Sequence, residues 1–180
     1  EEVLYVTEAG MTRKRAEIDH HVNVKMRDNA RAIGAAAEHG DLSENSEYKF
    51  ALEERDLLRA RLAQMNAELA IAKVITPSDV TTGEVGVGSR VVFRRVTDQA
   101  EYEMTFVGPW EADHARGLFN YRAPLAQSIL GKKVDDVVDF EHGETSGQYR
   151  IAEIHNGLEH LDIKAFEAPR ESHDYQTAPH

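Results

Sequence analysis

In the second quarter of the chain, apolar side chains return at alternating intervals of three and four. Tyr48, Ala51, Arg55, Leu58, Leu62, Met65, Leu69 and Ala72 form this seam, and only Arg55 interrupts it. Such spacing puts all eight on one stripe of an α-helix, the a/d pattern of a packed helix pair. A weaker stripe, Met11, Ile18, Val22, Met26, Ala30, Ile33 and Ala37, precedes it and predicts the partner helix. From Gly10 to Ile75 there is no proline, and glycine occurs only at Gly10, Gly34 and Gly40, which is helical composition. The pattern predicts two helices, near 11–38 and 44–74. The link His39-Gly40-Asp41-Leu42-Ser43 is short, so the helices run antiparallel. Gly40 suits a left-handed helix end, and Asp41 or Ser43 suits the next N-cap. A helix of about 28 residues extends about 42 Å, longer than a small core requires, so a projecting finger is expected.

After Ile75 the period changes. Thr76-Pro77-Ser78 and Thr81-Thr82-Gly83 read as a linker, and β-rich runs follow. Strands are predicted at 89–96, 102–108, 134–140 and 148–155, with one short helix from Pro124 to Leu130. The architecture is therefore α + (α+β): an antiparallel helical finger over 1–77 and a small antiparallel β domain with a short helix over 78–157. Beyond Gly157 the chain turns polar and histidine-rich, and a loosely ordered tail is expected over 158–180.

Composition narrows the function classes. The 180 residues are 41% hydrophobic and 29% charged, with a formal net charge of -11, which repels phosphate backbones and anionic membranes. The charge is uneven: 1–76 carry 11 basic and 14 acidic side chains, 77–180 carry 10 and 18. Contact with nucleic acid must be local or go through another protein. With no cysteine, disulfide frameworks and thiol catalysis are excluded. No apolar run approaches the roughly 18 residues of a membrane span, so a soluble, cytoplasmic protein is expected. The chain starts at Glu1 rather than Met, which suggests trimming or a missing upstream segment.

The sharpest chemical feature is the run Glu38 to Tyr48, EHGDLSENSEY, at the finger's apex. Asp41 and Glu44 stand three apart where a turn becomes a helix, so both carboxylates can point outward. Two hard oxygen donors suit Mg²⁺, which takes one or two carboxylates and fills its shell with water and ligands from elsewhere. The same Asp-x-x-Glu spacing fits a capping box, and spacing leaves both readings open. Elsewhere the bland reading is preferred. His20 and His21 diverge around a helix, and His155 and His160 flank a strand end, so surface histidines outweigh a zinc site. Val85 to Gly88 is not followed by a helix, which disfavours a phosphate loop. Trp110 after Gly108-Pro109 reads as turn packing, and Ser43 lacks triad partners.

The run Glu38 to Tyr48 closely resembles the tip signature of the bacterial Gre transcript-cleavage factors, the GreA-like branch in particular. The resemblance continues in Tyr5-Val6-Thr7-x-x-Gly10, Ala72-Lys73-Val74-Ile75, Gly86-Val87-Gly88-Ser89, Val107-Gly108-Pro109-x-Glu111-Ala112-Asp113, and Ala123-Pro124-Leu125 onward to Val134. It covers roughly residues 4–155. It implies a coiled-coil finger and an FKBP-like C-terminal domain that docks, through the segment containing Ala123, Pro124 and Leu125, at the secondary channel of bacterial RNA polymerase. The tip acids Asp41 and Glu44 would share Mg²⁺ with the polymerase and support hydrolysis of the 3′ end of backtracked nascent RNA. On that view the protein is an accessory factor and no enzyme itself, expected as a monomer, with Lys49, Arg55 and Arg59 near the RNA. Two positions where family members often carry a basic residue are Ala37 and Leu52 here, and a serine common before Pro-Leu is Ala123. The two missing basic residues motivate the alternative of a channel-binding regulator without cleavage activity, and Ala123 bears on polymerase affinity or partner choice. A stand-alone prolyl isomerase has only fold resemblance behind it.

Overall fold

The computed structural model describes residues 2–141, 144 and 146–169. A short strand β1 (Leu4–Thr7) leads into helix α1 (Glu8–His20), a π-helical segment His21–Met26, and helix α2 (Arg27–Ala37). After the tip, α3 (Ser46–Ile71) returns and ends in β2 (Ala72–Ile75). The two arms thus form an antiparallel helical hairpin. Its base is closed by β1 and β2, which pair in parallel from Leu4↔Ala72 to Thr7↔Ile75.

On α3 the predicted seam is the buried stripe: Ala51 and Met65 are buried, and the other six positions are half-buried. The first arm departs from its predicted stripe. Its inward positions are Met11, Lys14, Ile18, His21, Met26, Asn29, Ile33 and Ala36, while Val22, Ala30 and Ala37 are exposed. The intervals are three, four, three, five, three, four and three. The interval of five falls across the π segment, where one added residue per turn restores the seam to the same face. An apolar count at a 3.6-residue period cannot follow that step. It is further misled because three inward positions are polar. His21 donates through Nε2 to the Leu58 carbonyl at 2.8 Å, and Asn29 Nδ2 donates to the Ala51 carbonyl at 2.9 Å. Each contact is satisfied only when the arms are in this register, the use of buried polar groups best attested in helix pairs.

The second unit is a five-stranded sheet in the order β5-β4-β3-β7-β6, built from β3 (Ser89–Arg95), β4 (Glu101–Val107), β5 (Leu118–Asn120), β6 (Val137–Phe140) and β7 (Gly147–Asn156). The four predicted strands are present. The sheet is mixed where an antiparallel one was expected, because β5 runs parallel to β4. β1, β2 and β5 went unpredicted, and β2 lies where the helical pattern was extended to residue 74. In β7 a register shift opposite Val92 and Phe93 keeps Ile151 and Ile154 on the buried face although they are three apart. That face packs aromatic rings, with Phe140 stacked on Tyr149 at 4.3 Å and Phe93 edge-on to Phe140 at 5.5 Å. The short helix α4 (Pro124–Gln127) begins with proline at its first turn and covers one end of this core. The expected boundary after residue 157 cuts through packing: Leu158 is buried with Ile75, Val107 and Leu118, and Leu161 and Ile163 lie against them. Residues 170–180 of the expected loose tail lie outside the described residues. No described helix is long and apolar enough to cross a membrane.

The hairpin is fastened to the sheet by a buried carboxylate. Glu111 is 1% exposed, and its Oε1 accepts from the Thr7 amide at 2.6 Å and the Thr7 hydroxyl at 2.8 Å. Thr7 is the N-cap of α1, and its Oγ1 in turn accepts from the Gly10 amide at 3.0 Å. The other carboxylate oxygen, Oε2, is buried with no hydrogen-bond partner among the described residues. Burial pushes the Glu111 carboxyl up, against the opposing pull of the Thr7 hydrogen bonds. Around this point Tyr5 donates its amide to the Tyr121 hydroxyl at 3.0 Å, and Trp110 meets Lys14 and Glu68 of the two arms. Trp110 is therefore packed within the chain, as a turn residue that also touches the hairpin.

Two outcomes follow from this junction. A Cβ at Gly10 would fall inside the Glu111 carboxylate, which is walled in by Thr7 and Gly108; Gly10→Ala is expected to lower stability by about 1–3 kcal/mol in urea denaturation. The raised carboxyl pKa of Glu111 sets the sign of a pH effect. Its contribution is fully present below the unfolded value of 4.5 and is lost as pH rises through the raised folded value. Glu111→Gln keeps an acceptor for Thr7 without the charge, so its stability relative to the wild type should increase from acid to neutral pH. A difference constant with pH would show that the carboxyl does not titrate with folding.

Candidate functional site

The tip begins where α2 runs out of partners. The Glu38 and His39 amides donate to the Ala35 and Ala36 carbonyls at 3.3 and 3.2 Å, a tightened last turn. Gly40 follows with φ +100°, a conformation that favours glycine, and its exposed position leaves the turn free of packing constraints. Asp41 then folds back on its own loop. Its Oδ1 accepts from the Ser43 amide at 3.0 Å and the Ser43 hydroxyl at 2.8 Å, an Asx turn. These hydrogen bonds, the hydroxyl's first and the amide's second, hold the Asp41 carboxyl below its ordinary value, so it stays ionised at neutral pH.

The capping reading is corrected here. The N-cap of α3 is Asn45, whose Oδ1 accepts from the Tyr48 amide at 3.1 Å. Asp41 bonds inside the turn, and Glu44 precedes the cap, so the two acids do not make a capping box. Asn45 also donates through Nδ2 to the Ala36 carbonyl at 2.7 Å. One amide side chain therefore joins the last turn of the first arm to the first turn of the second. It ranks among the best N-cap residues, and that preference, rather than the acid spacing, was the signal for it.

With the cap supplied elsewhere, Asp41 and Glu44 are both exposed, and with His39 and Glu47 they border one open hollow at the apex. Asp41 retains Oδ2 and Glu44 both its oxygens beyond the bonds described. No cluster of three or more His, Cys, Asp or Glu able to hold a metal occurs among the described residues. The donor set fits a shared hard cation: two exposed carboxylates, too few to enclose an ion alone.

The predicted basic residues are dispersed along α3. Lys49 and Arg59 are exposed, about 6 and 21 Å from the cap along the helix. Arg55 is half-buried on the seam, and its guanidinium is turned to Asp56 at 3.2–3.3 Å. In the β domain, Pro124 is exposed at the start of α4, Ala123 is half-buried, and half-buried Leu125 packs against the core. These three lie on a separate element in the β domain, and the structure does not bring the two sets together.

Comparison with known proteins matches both units. The family described as "Transcription elongation factor, N-terminal" matches residues 4–74, and "Transcription elongation factor, GreA/GreB, C-term" matches residues 80–156. A transcription elongation factor GreA of Treponema pallidum is 34% identical over 151 residues, covering 84% of this chain and 93% of that one. The GreA of Christiangramia forsetii is 35% identical over 152 residues, with coverage of 84% and 96%. A GreA of Chlamydia pneumoniae is 38% identical over 154 residues, and there the chain spans 21% of the relative's length. Among solved structures, GreA factor homolog 1 (Gfh1) of Thermus thermophilus gives a TM-score of 0.39 at 19% identity, covering 86% of this chain and 99% of that one. Superposition at that score is partial, and the sequence matches carry the comparison.

The division of labour at the tip is testable by stability alone. Asn45→Ala removes both the cap and the bridge to Ala36 and is expected to cost about 1–2 kcal/mol in thermal denaturation. Asp41→Ala and Glu44→Ala are expected to stay within about 0.5 kcal/mol of the wild type. A loss at Glu44 equal to that at Asn45 would restore the capping role.

Proposed function

This chain belongs to the GreA/GreB family of transcription elongation factors, and we propose that it works by inserting its helical hairpin, as a coiled-coil finger, into the secondary channel of bacterial RNA polymerase. There it stimulates cleavage of the 3′ end of backtracked RNA and returns the stalled complex to elongation. The reading is carried by one observation: in a chain matching both family domains, the two tip acids are released from capping and exposed at the apex. The β domain, of FKBP-like type, docks at the channel rim through the segment around Ala123, Pro124 and Leu125. Work takes place in the cytoplasm, with the polymerase as the catalyst and this chain as its accessory.

In that setting Asp41 and Glu44 supply carboxylate oxygens toward a Mg²⁺ shared with the polymerase. When bound, Mg²⁺ supplies charge neutralisation and an activated water for phosphodiester hydrolysis. The chain's own part is positional. Ser43 fixes one oxygen of Asp41 and keeps the group ionised, which leaves the second oxygen outward. Asn45 holds the turn between the two arms, and the helical seam carries that turn about 45 Å from the base. Lys49 and Arg59 present cations where the exposed arm passes RNA phosphates. With Ala37 and Leu52 uncharged and Arg55 turned to Asp56, hold on the extruded RNA rests on fewer cations, so most of the effect comes from the acids.

The deciding experiment is RNA cleavage in a purified, backtracked bacterial elongation complex. Wild-type chain should accelerate Mg²⁺-dependent cleavage, and Asp41→Ala or Glu44→Ala should reduce that stimulation on the order of 100-fold with polymerase binding retained. Binding with slowed nucleotide addition and no cleavage would overturn this reading in favour of a channel-blocking regulator.

A further inference from the structure

The family matches stop at residue 156, yet the chain continues in a defined course along the finger. Gly157 donates its amide to the Gly88 carbonyl at 2.8 Å, and the Asn156 side chain donates to the Pro77 carbonyl at 2.8 Å. Leu158 is then buried against Ile75, Val107 and Leu118, with Leu161 and Ile163 laid over the same cluster. Further on, the Phe166 ring lies 5.7 Å from that of His20, at the end of α1, and Phe166 and Pro169 share a hollow with Leu57 and Arg61 of α3. The segment therefore starts in the β domain and ends on both arms of the hairpin.

Its position on α1 is informative. With α1 it borders a half-open hollow of about 540 Å³, lined by Ala9, Thr12 and Ala16 of the helix and by Leu161, Ile163 and Phe166 of the segment. At 100° per residue, Ala9, Thr12, Ala16 and His20 lie roughly 160–240° around the helix from Lys14. Lys14 is the residue that meets Trp110, its Nζ 5.5 Å from the ring centre. The β domain thus holds α1 from two opposite sides, through Trp110 on one and the C-terminal segment on the other.

We propose that residues 158–169 are a brace that sets the angle between finger and β domain and so positions the tip. The lever supports this role. The Glu111 junction sits at the pivot, where a small slip becomes a large excursion at the apex. Phe166 holds the finger about 20 Å from Thr7, and the arm ends about 45 Å from it, so a slip of ~1 Å at the brace displaces the tip by only ~2 Å. Three half-buried apolar side chains, Leu161, Ile163 and Phe166, provide the contact. They lie outside the sheet's main core, so the brace can be loosened without unfolding the domain.

The absence of native cysteine allows clean spin labelling for a test independent of any polymerase. With labels introduced at Glu53 and Asp139, both exposed, double electron–electron resonance on the full chain should give one narrow distance distribution. Ile163→Ser/Phe166→Ser should at least double its width while the far-UV spectrum is retained; an unchanged width would overturn the proposal. A second pair, at Ala60 and Glu167, both exposed, reads the brace directly and leaves its contact residues unchanged. A single short separation is expected there, and a broad distribution centred far from the finger would overturn the brace on its own.

Discussion

Everything the tip does depends on how the finger's base is held, and the base is held by the Glu111 carboxylate. One of its oxygens takes two hydrogen bonds from Thr7, and Thr7 is at once the end of a parallel strand pair and the cap of α1. The direction of the first helix is therefore set by a side chain of the β domain. An acid at a helix start is favoured by the dipole, but full burial opposes the charge, and Oε2, without a partner among the described residues, adds to that cost. The site accepts the conflict in exchange for a junction with a defined direction, since only a short, glycine-lined approach at Gly10 and Gly108 admits the carboxylate. Packing of Trp110 and of residues beyond Gly157 then limits rotation about that point.

The same trade recurs along the finger. An all-apolar seam would bind the two arms more tightly but tolerate slippage by a heptad, since every layer would look alike. Here His21 and Asn29 each donate to one backbone carbonyl of α3, and a slip of the arms would bury both without partners. The π segment begins at the first of them. It lets two stretches of ordinary helix, each in phase with α3, meet despite an added residue, and the arms stay paired to the tip. Register matters more in a long hairpin than in a globular core, because a one-turn error at the base moves the apex by about 5 Å.

How much of this was readable in the sequence differs between the arms. The α3 seam was plain because every member but Arg55 is apolar and the period is unbroken from Tyr48 to Ala72. The first arm hid its seam twice, by placing Lys14, His21 and Asn29 inward and by spacing His21 and Met26 five apart. β3, β4, β6 and β7 were visible from their β-branched and aromatic runs, whereas β1, β2 and β5 owe their pairing to tertiary placement. At the tip, resemblance located the acids, but the helix start was misplaced. Asp-x-x-Glu satisfied a known capping pattern, and the Asn45 that actually caps lies one residue beyond it. Glu111 fell within a matched motif, yet no local pattern announces a carboxylate whose partner is about a hundred residues away.

That misplacement bears on the chemistry. Had Asp41 and Glu44 capped α3, their oxygens would have been committed to backbone amides and turned toward the helix axis. Assigning the cap to Asn45 removes that claim, and assigning the Asx turn to Ser43 uses only one oxygen of Asp41. The tip can then be rigid and still offer ligands, two requirements that usually compete in a turn of eight residues. On the proposed function, it also lets a chain of strongly negative charge work beside nucleic acid. There a divalent cation would neutralise Asp41 and Glu44 where they face phosphate, and most of the remaining excess of acid lies in residues 77–180.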